Sequence, residues 1–524
     1  GTDFNSFFRD TTPTGSKTFL VAPNTPIYQA AYIQDKFQFK DIIFRFGLRV
    51  DRFDANTKVM KDPYSLYEIT TAKDFYAALG TTKPSSLPDD AKVYVASENS
   101  NSVKAFRLGD QWYNAAGSTA NDGNLIFGNQ VIYPKYVVAK TEDRSIRSNK
   151  FDPDRVFEDY TPQLNWMPRI AVSFPIADDA NFFAHYDVLA QRPPDNSYVS
   201  PMDYYYFETT GSDDVRNNAN LRSEKTIDYE VGFQQKLTNS SALKVSAFYK
   251  EMRDMIQERV LLYTAPISRY TTYGNIDFGT VKGFSAAFDL RKTENVAVTA
   301  NYTLQFADGT GSNANSSRGL TSRGNIRTLF PLSRDERHAV KLILDYGYSG
   351  DDYRGPKLFG LDLLKNTNIN IQAQAISGRP YSAALRPTQF GGTGFKGIIN
   401  GSRLPWNFTV DMRIERNILL NKKLIAAGGE NTKPLNLVVS LRVNNLFDTR
   451  NVRGVYRYTG SPDDDGFLNA PEGQGSLQSV LNTGTLQQAG RDLNAFLASY
   501  QWSLLNPSFY SLPRRIFLGL TLEF

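Results

Sequence analysis

The sequence predicts an all-β chain, a transmembrane antiparallel β-barrel, and three observations carry that expectation. Segments of about ten residues alternate apolar and polar side chains, their connections alternate short and long, and the chain closes on such a segment at Phe524. The composition agrees. The 524 residues are 41% hydrophobic with 29 Tyr and 35 Phe, yet the mean hydropathy is only −0.41. No run approaches the roughly 18 apolar residues of a membrane-crossing helix, whereas a strand crosses with about 10 residues of which every second is apolar.

The last segment shows the pattern most clearly. Ile516, Leu518, Leu520, Leu522 and Phe524 share one parity, and Arg515, Phe517, Gly519, Thr521 and Glu523 share the other. In a strand these sets face opposite sides. Upstream, Trp406, Phe408, Val410, Met412 and Ile414 alternate with Asn407, Thr409, Asp411, Arg413 and Glu415. Leu435 to Val443, Val340 to Tyr346, Leu243 to Ala247 and Val296 to Tyr302 repeat the arrangement. A soluble sandwich also alternates, but long strands whose polar face mixes Asp, Arg, Glu and Asn suit a hydrated lumen.

Thirteen strands are expected, at 29–39, 42–54, 163–175, 180–190, 225–236, 241–252, 276–290, 294–307, 335–349, 368–377, 405–418, 434–447 and 512–524. Pro168 and Pro175 predict a distortion or an early end of the third, because proline cannot donate to the ladder. Short turns fall at Lys40-Asp41, Ala177 to Asp179, Thr238 to Ser240 and Arg291 to Thr293, with moderate ones near 350–367 and 419–433. Long loops fall near 55–162, 191–224, 253–275, 308–334, 378–404 and 448–511, the last with a helix expected near Leu486 to Ser499. Bacterial barrels keep short turns in the periplasm and long loops outside. That parity sets Gly1 outside the cell and Phe524 at the periplasmic rim of the outer membrane, and implies that the start of the barrel lies outside this chain.

The residues exclude several chemistries. Zero Cys removes disulfides and thiolate sites, and two His, His185 and His338, leave little for a metal centre. A net charge of +5 spread along the chain gives no nucleic-acid surface. Asp411, Arg413 and Glu415 read as a hydrated, salt-bridged lumen face and not as an acid/base pair, with Arg442 or Arg515 as expected partners. His185 is expected to point inward in a structural role. Asp463-Asp464-Asp465-Gly466 lacks the spacing of a calcium loop and reads as a solvated acidic turn. Gly391 to Gly394 follows no α/β unit and is no phosphate loop. No catalytic, cofactor or metal site is expected. Ligand capture is assigned to the outer loops, with Trp112, Tyr113, Tyr204, Tyr205 and Tyr206 as candidates.

The chain resembles the barrel domain of the TonB-dependent receptors. Ala31 to Asp35 followed by Gly47 to Asp51 is similar to a mid-barrel hairpin of that family, and Glu224 to Thr226 with Tyr229 to Phe233 and Phe248 to Lys250 to the next pair. Asn275 through Phe284, Arg403 to Pro405 with Asp411, Asn444 to Asp448, and Pro513 to Arg515 with Phe524 keep the family's order. The resemblance covers about residues 27–524. It implies a barrel of about 22 strands occluded by an N-terminal plug, in the outer membrane, importing a scarce solute with force from the TonB complex. Plug and roughly nine strands are absent from this chain, so the same precursor or another chain is expected to supply them. The loops and motifs look most like receptors of the Bacteroidota, and a surface lipoprotein partner accompanies some relatives. Two other functions fit the same pattern: a passive porin or translocation component, and a surface adhesion or assembly platform.

Overall fold

A computed structural model describes residues 4–19, 23–120, 126, 131–142, 144–194, 198–209, 214–262, 264–316, 328–348, 355–359, 361–362, 364–420, 435–482 and 493–524. Thirteen long strands follow one another in a single antiparallel sheet, each paired with its sequence neighbours. They are β1 (Ile27–Phe39), β2 (Ile42–Asp54), β3 (Gln163–Ala177), β4 (Ala180–Gln191), β5 (Glu224–Lys236), β6 (Ser241–Leu262) and β7 (Arg269–Thr293). Then come β8 (Val296–Gly309), β9 (His338–Tyr348), β10 (Thr367–Ile376), β11 (Asn407–Leu419), β12 (Asn436–Asn444) and β13 (Arg515–Glu523). Among the described residues β1 and β13 each have one long neighbour and do not pair with each other.

The register sorts side chains by chemistry. Directly opposed residues share a face, and Phe37 with Phe44, Ile33 with Leu48, Tyr186 with Tyr229 and Tyr229 with Tyr249 all lie on one side. That side also carries Val340, Phe408 and, within β13, Leu518 and Leu520, which are 72% and 68% exposed. The opposite face holds Lys341 across from Gln374 and Arg413 across from Asn370. There Lys250 Nζ lies 2.7 Å from Asp228 and Asn370 donates to Asp345 at 2.6 Å. A broad apolar surface that water would penalise at about 25 cal/mol per Å² becomes favourable only against lipid. Among the described residues no helix is long and apolar enough to cross a membrane.

Glycines tighten the polar face. The rings of Phe183 and Phe248 lie across the strand from Gly232 and Gly283, and a Cβ on those glycines would stand 2.7 and 2.6 Å from their Cζ atoms. Aromatic cover over a cross-strand glycine lets a sheet coil sharply without leaving a hole.

Strand positions match the expected ones with one substantial change. The hairpin β6–β7 continues through 253–262 and 269–275, so the expected loop 253–275 shrinks to the connection 263–268. The alternation had been obscured by a bulge between Met252 and Met255, where Asp254 takes φ 55°. Pro168 pairs with Leu48 in β2 without a register shift, and β3 meets β4 only from Arg169 onward, so its missing N–H interrupts neither ladder. The irregularity falls instead between Pro175 and Ala177.

At one end of the sheet the connections are tight; at the other they fold on their own. Between β2 and β3, five short strands pair in a separate sheet, Thr119–Ala120, Gln111–Asn114, Val103–Leu108, Lys92–Val95 and Tyr133–Pro134 in spatial order. Helix α2 (Ala72–Leu79), capped by the Thr71 hydroxyl and closed by left-handed Gly80, packs Phe75 onto Val93, Val95 and Phe106. Arg107 is fully buried beneath this sheet, its Nη2 2.5 Å from Asp62, with Tyr94 and the Gly109 carbonyl accepting its other N–H groups.

Candidate functional site

The loop end is held together by an aromatic core that several distant segments enter. Helix α1 (Phe4–Arg9) buries Phe7 and Phe8, and Phe4 meets Phe157 edge-on at 5.0 Å between centroids. Helix α3 (Pro153–Val156) sits alongside, and the Asp154 carboxylate accepts from Asn5, Arg9 and Lys58 at 2.9, 2.8 and 3.1 Å. Those three donors hold Asp154 well below the usual carboxylate range. Helix α4 (Pro201–Tyr205) starts with proline at its first turn, and the Asp203 carboxylate accepts from the Ser200 backbone and hydroxyl at 2.7 and 3.0 Å. This fixes the three tyrosines that follow. Tyr204 turns inward against Phe157 at 4.7 Å, and burial pushes its phenol upward.

Beside this core lies a cavity of about 650 Å³, walled by segments from 59–63, 199–207, 215–222, 259–261 and 270–276. Among the described residues its charged lining is Asp203, Arg216, Arg222 and Arg259. Val215 and Arg216 bridge in parallel to Thr271 and Thr272 at the far end of β7, which sets the Arg216 guanidinium over the Phe207 ring at 4.0 Å. Its Nε and Nη1 are out of reach of solvent, and burial lowers its pKa. Arg222 Nη2 lies 2.7 Å from Asp254, and Arg259 Nη2 lies 2.6 Å from Asp110. The amides stitch the wall: Asn218 donates to the Tyr273 carbonyl at 2.8 Å, and Asn275 to the Arg222 carbonyl at 2.9 Å.

Two of the five candidate aromatics meet in this wall. Tyr204 and Tyr206 line the cavity, whereas Tyr205 packs beside Phe7 and Phe19. Trp112 and Tyr113 lie in the small sheet between β2 and β3, Trp112 against Tyr94 and Tyr113 in the cluster with Phe106. The arginines were not singled out from sequence, because Arg216, Arg222 and Arg259 are dispersed over 44 positions and only the fold brings them to one cavity.

The remaining sequence candidates take structural positions. His185 faces the polar side of β4, Nε2 3.7 Å from Glu230 and 3.9 Å from Asp187. Arg413 pairs with Glu415, Asp411 accepts from the Asn445 N–H at 2.7 Å, and Arg442 stacks over Phe517, not on the acids. The turn at Asp463 is only partly solvated. Asp465 is 1% exposed and accepts from Tyr500 Oη at 2.5 Å and the Phe390 N–H at 2.8 Å, while Tyr510 donates to Asp463 at 2.5 Å. Gly391–Thr393 forms a small hairpin with Arg386–Thr388. Helix α5 (Pro471–Asn482) was not foreseen; helix α6 (Leu493–Leu504) overlaps the expected one, whose positions 486–492 lie outside the described residues. Among the described residues no group of His, Asp and Glu is arranged to hold a metal ion.

The family model for the TonB dependent receptor-like beta-barrel matches residues 1–446. The chain belongs to that family. Its members are outer-membrane transport proteins and not enzymes. The match takes in the sequence motifs from Ala31 to Leu446 and stops short of β13. Among solved structures, the chain is similar to the ferric-catecholate import receptor Fiu from E. coli K12, at 14% identity and TM-score 0.40, covering 84% of this chain and 45% of that one. It is also similar to the FrpB iron transporter from Neisseria meningitidis, at 11% identity and TM-score 0.41, covering 87% and 47%. For a double mutant of the Serratia marcescens hemophore receptor HasR the values are 12%, 0.41, 82% and 49%. The chain spans about half the length of these proteins or less. No curated protein matches it.

Proposed function

We propose that the chain is the C-terminal portion of an outer-membrane receptor that imports a scarce solute by TonB-coupled active transport. The observation that carries this reading is the division of one continuous sheet into an exposed apolar face and a charged, amide-rich face, in a member of this receptor family. In this reading residues 1–524 supply part of the barrel, further strands pair with the open edges of β1 and β13, and a plug fills the lumen. The folded loops stand outside the cell, Phe524 lies at the periplasmic rim, and Tyr204 and Tyr206 take part in ligand capture. Trp112 and Tyr113 support the loop that bears on the same core. The motif wording supports a Bacteroidota-like receptor, with room for a surface lipoprotein over the loops.

Coupling and sidedness are tested together. Cells producing the full-length receptor should take up solute only with a functional TonB complex, and protease added outside should cut between Lys135 and Lys150 and leave β13 intact. Uptake that persists without TonB would favour a passive pore. Surface partner binding with no uptake would favour an adhesion platform.

A further inference from the structure

The 21 residues from Leu493 to Pro513, which form α6 and the approach to β13, contain no charged side chain. A helix with protein on one side and water on the other ordinarily carries charged and polar residues on its outer face. Helix α6 does not. It packs Tyr500 and Leu504 inward with Tyr456, Phe467 and Phe509, and presents Trp502 outside that cluster at 82% exposure, with Leu505 at 62% just past its end. Leu512 and Phe447 are exposed as well. Scattered apolar residues on a surface are ordinary, but these lead to a larger apolar face. Tyr510 bridges to Val452, the Ser511 N–H donates to the Asn451 carbonyl at 2.8 Å, and the Arg514 N–H donates to the Asp448 carboxylate at 2.7 Å. The chain above Arg515 thus still runs beside the end of β12, and Leu512 stands above Ile516, Leu518 and Leu520. From Phe524 to Ile516 the strand climbs about 20 Å at about 3.3 Å per residue and a tilt of about 40°, and Leu512 lies about 10 Å higher. An apolar band of roughly 25 Å therefore ends between Ile516 and Leu512, near the exposed Arg514, and Leu512 falls in the headgroup layer.

We propose that the exposed side of α6 and the 505–512 approach rest on the outer leaflet of the membrane, with Trp502 and Leu505 set into the layer between headgroups and acyl chains. Tryptophan favours that layer, with its ring in the apolar part and its N–H among the headgroups. Lipid is the occupant because this surface continues the apolar face of β13, which makes α6 a membrane anchor for the loop that carries it. The proposal rests on the reading that the β13 face meets lipid.

The test places a nitroxide on single-cysteine variants of the full-length receptor in dioleoylphosphatidylcholine bilayers. Trp502→Cys, Leu505→Cys and Leu512→Cys probe the anchor, Lys73→Cys on α2 is the water-facing control, and Leu518→Cys in β13 is the lipid-facing one. All five side chains are exposed, so the labels leave the Tyr456 cluster in place. Power saturation then reads collisions with oxygen, which concentrates in lipid, and with a nickel chelate, which stays in water. The oxygen-to-nickel ratio at 502, 505 and 512 should be at least about threefold that at 73, as for side chains set about 5–10 Å into the interface. Nickel access at 502 and 505 equal to that at 73 would put α6 in water, and poor access of both reagents would mean that protein covers it. Either result would overturn the proposal. Water at 518 as well would sink the reading of β13 as a lipid-facing strand, whereas lipid at 518 with water at 502 and 505 would sink the anchor alone.

Discussion

Replacing Gly283 by alanine puts a methyl group where the polar face of the sheet has no room. An added Cβ would stand 2.2 Å from the Leu304 carbonyl oxygen, 2.6 Å from Phe248 Cζ and 3.1 Å from the Gln305 Cα. The ring can swing away, but the carbonyl belongs to β8, whose Leu304 and Gln305 oppose Phe284 and Gly283 in the ladder. Reaching an ordinary contact requires β7 and β8 to part by about 1 Å locally, against a normal spacing of about 4.8 Å. One or two ladder hydrogen bonds weaken at about 1 kcal/mol each, and the overpacking itself costs about 1–3 kcal/mol. Gly283→Ala should therefore lose about 2–5 kcal/mol in reversible denaturant unfolding of the receptor in lipid. Adding Phe248→Ala should recover only the ring's share. Gly475, with no atom within 4 Å of its would-be Cβ, is the control, and its alanine variant should be neutral or slightly stabilising. A Gly283→Ala loss below about 0.5 kcal/mol would refute the account of how β7 and β8 approach.

Arg107→Met should leave Asp62 charged and without its guanidinium beneath the small sheet between β2 and β3, at a cost of about 3–5 kcal/mol, read as hydrogen exchange rising across 92–114 while β6–β9 stay protected. Asp154 is held below the ordinary carboxylate range by Asn5, Lys58 and Arg9, so its stabilisation of α1 is present above about pH 4 and lost as pH falls below it. Exchange of the amides of α1 should thus increase only in acid, and Asp154→Asn should show that loosening already at neutral pH, with no further acid step from this group. Asp465→Asn leaves the Tyr500 hydroxyl and the Phe390 amide with a weaker acceptor, and should loosen 386–393 and α6 together by about 1–3 kcal/mol in the same assay; movement of only one of them would refute the link.

The strands were legible because one face of the sheet repeats one demand, an apolar side chain at every second position, and β13 shows it without interruption, as does β11 from Phe408 to Ile414. The demand lapses at the loop end of the sheet, which is why β6 and β7 continue past Met252 and Gly279 with no matching sequence signal and why the bulge at Asp254 looked like an end. The short strands Lys92–Val95, Val103–Leu108 and Gln111–Asn114 have too few residues for periodicity to separate them from loop; only their joint burial under α2 defines them. Tyr204 and Tyr206 stood out as part of an aromatic run, whereas Arg216, Arg222 and Arg259 become a set through the β7 bridge and the β6 bulge. Asp465 was misjudged as solvated because its partners, Tyr500 and Phe390, are 35 and 75 positions away.

The central claim, that one parity of each strand faces lipid and the other a hydrated interior, is tested most directly along β13. The chain has no cysteine, so single-cysteine variants carry one label each. With an environment-sensitive fluorophore at Ile516, Phe517, Leu518, Leu520, Thr521 and Leu522 of the receptor in bilayers, a lipid-borne quencher should act at 516, 518, 520 and 522. A water-soluble quencher should act at 517 and 521 instead. Quenching by lipid that is uniform along the segment, or strongest at 517 and 521, would contradict the account.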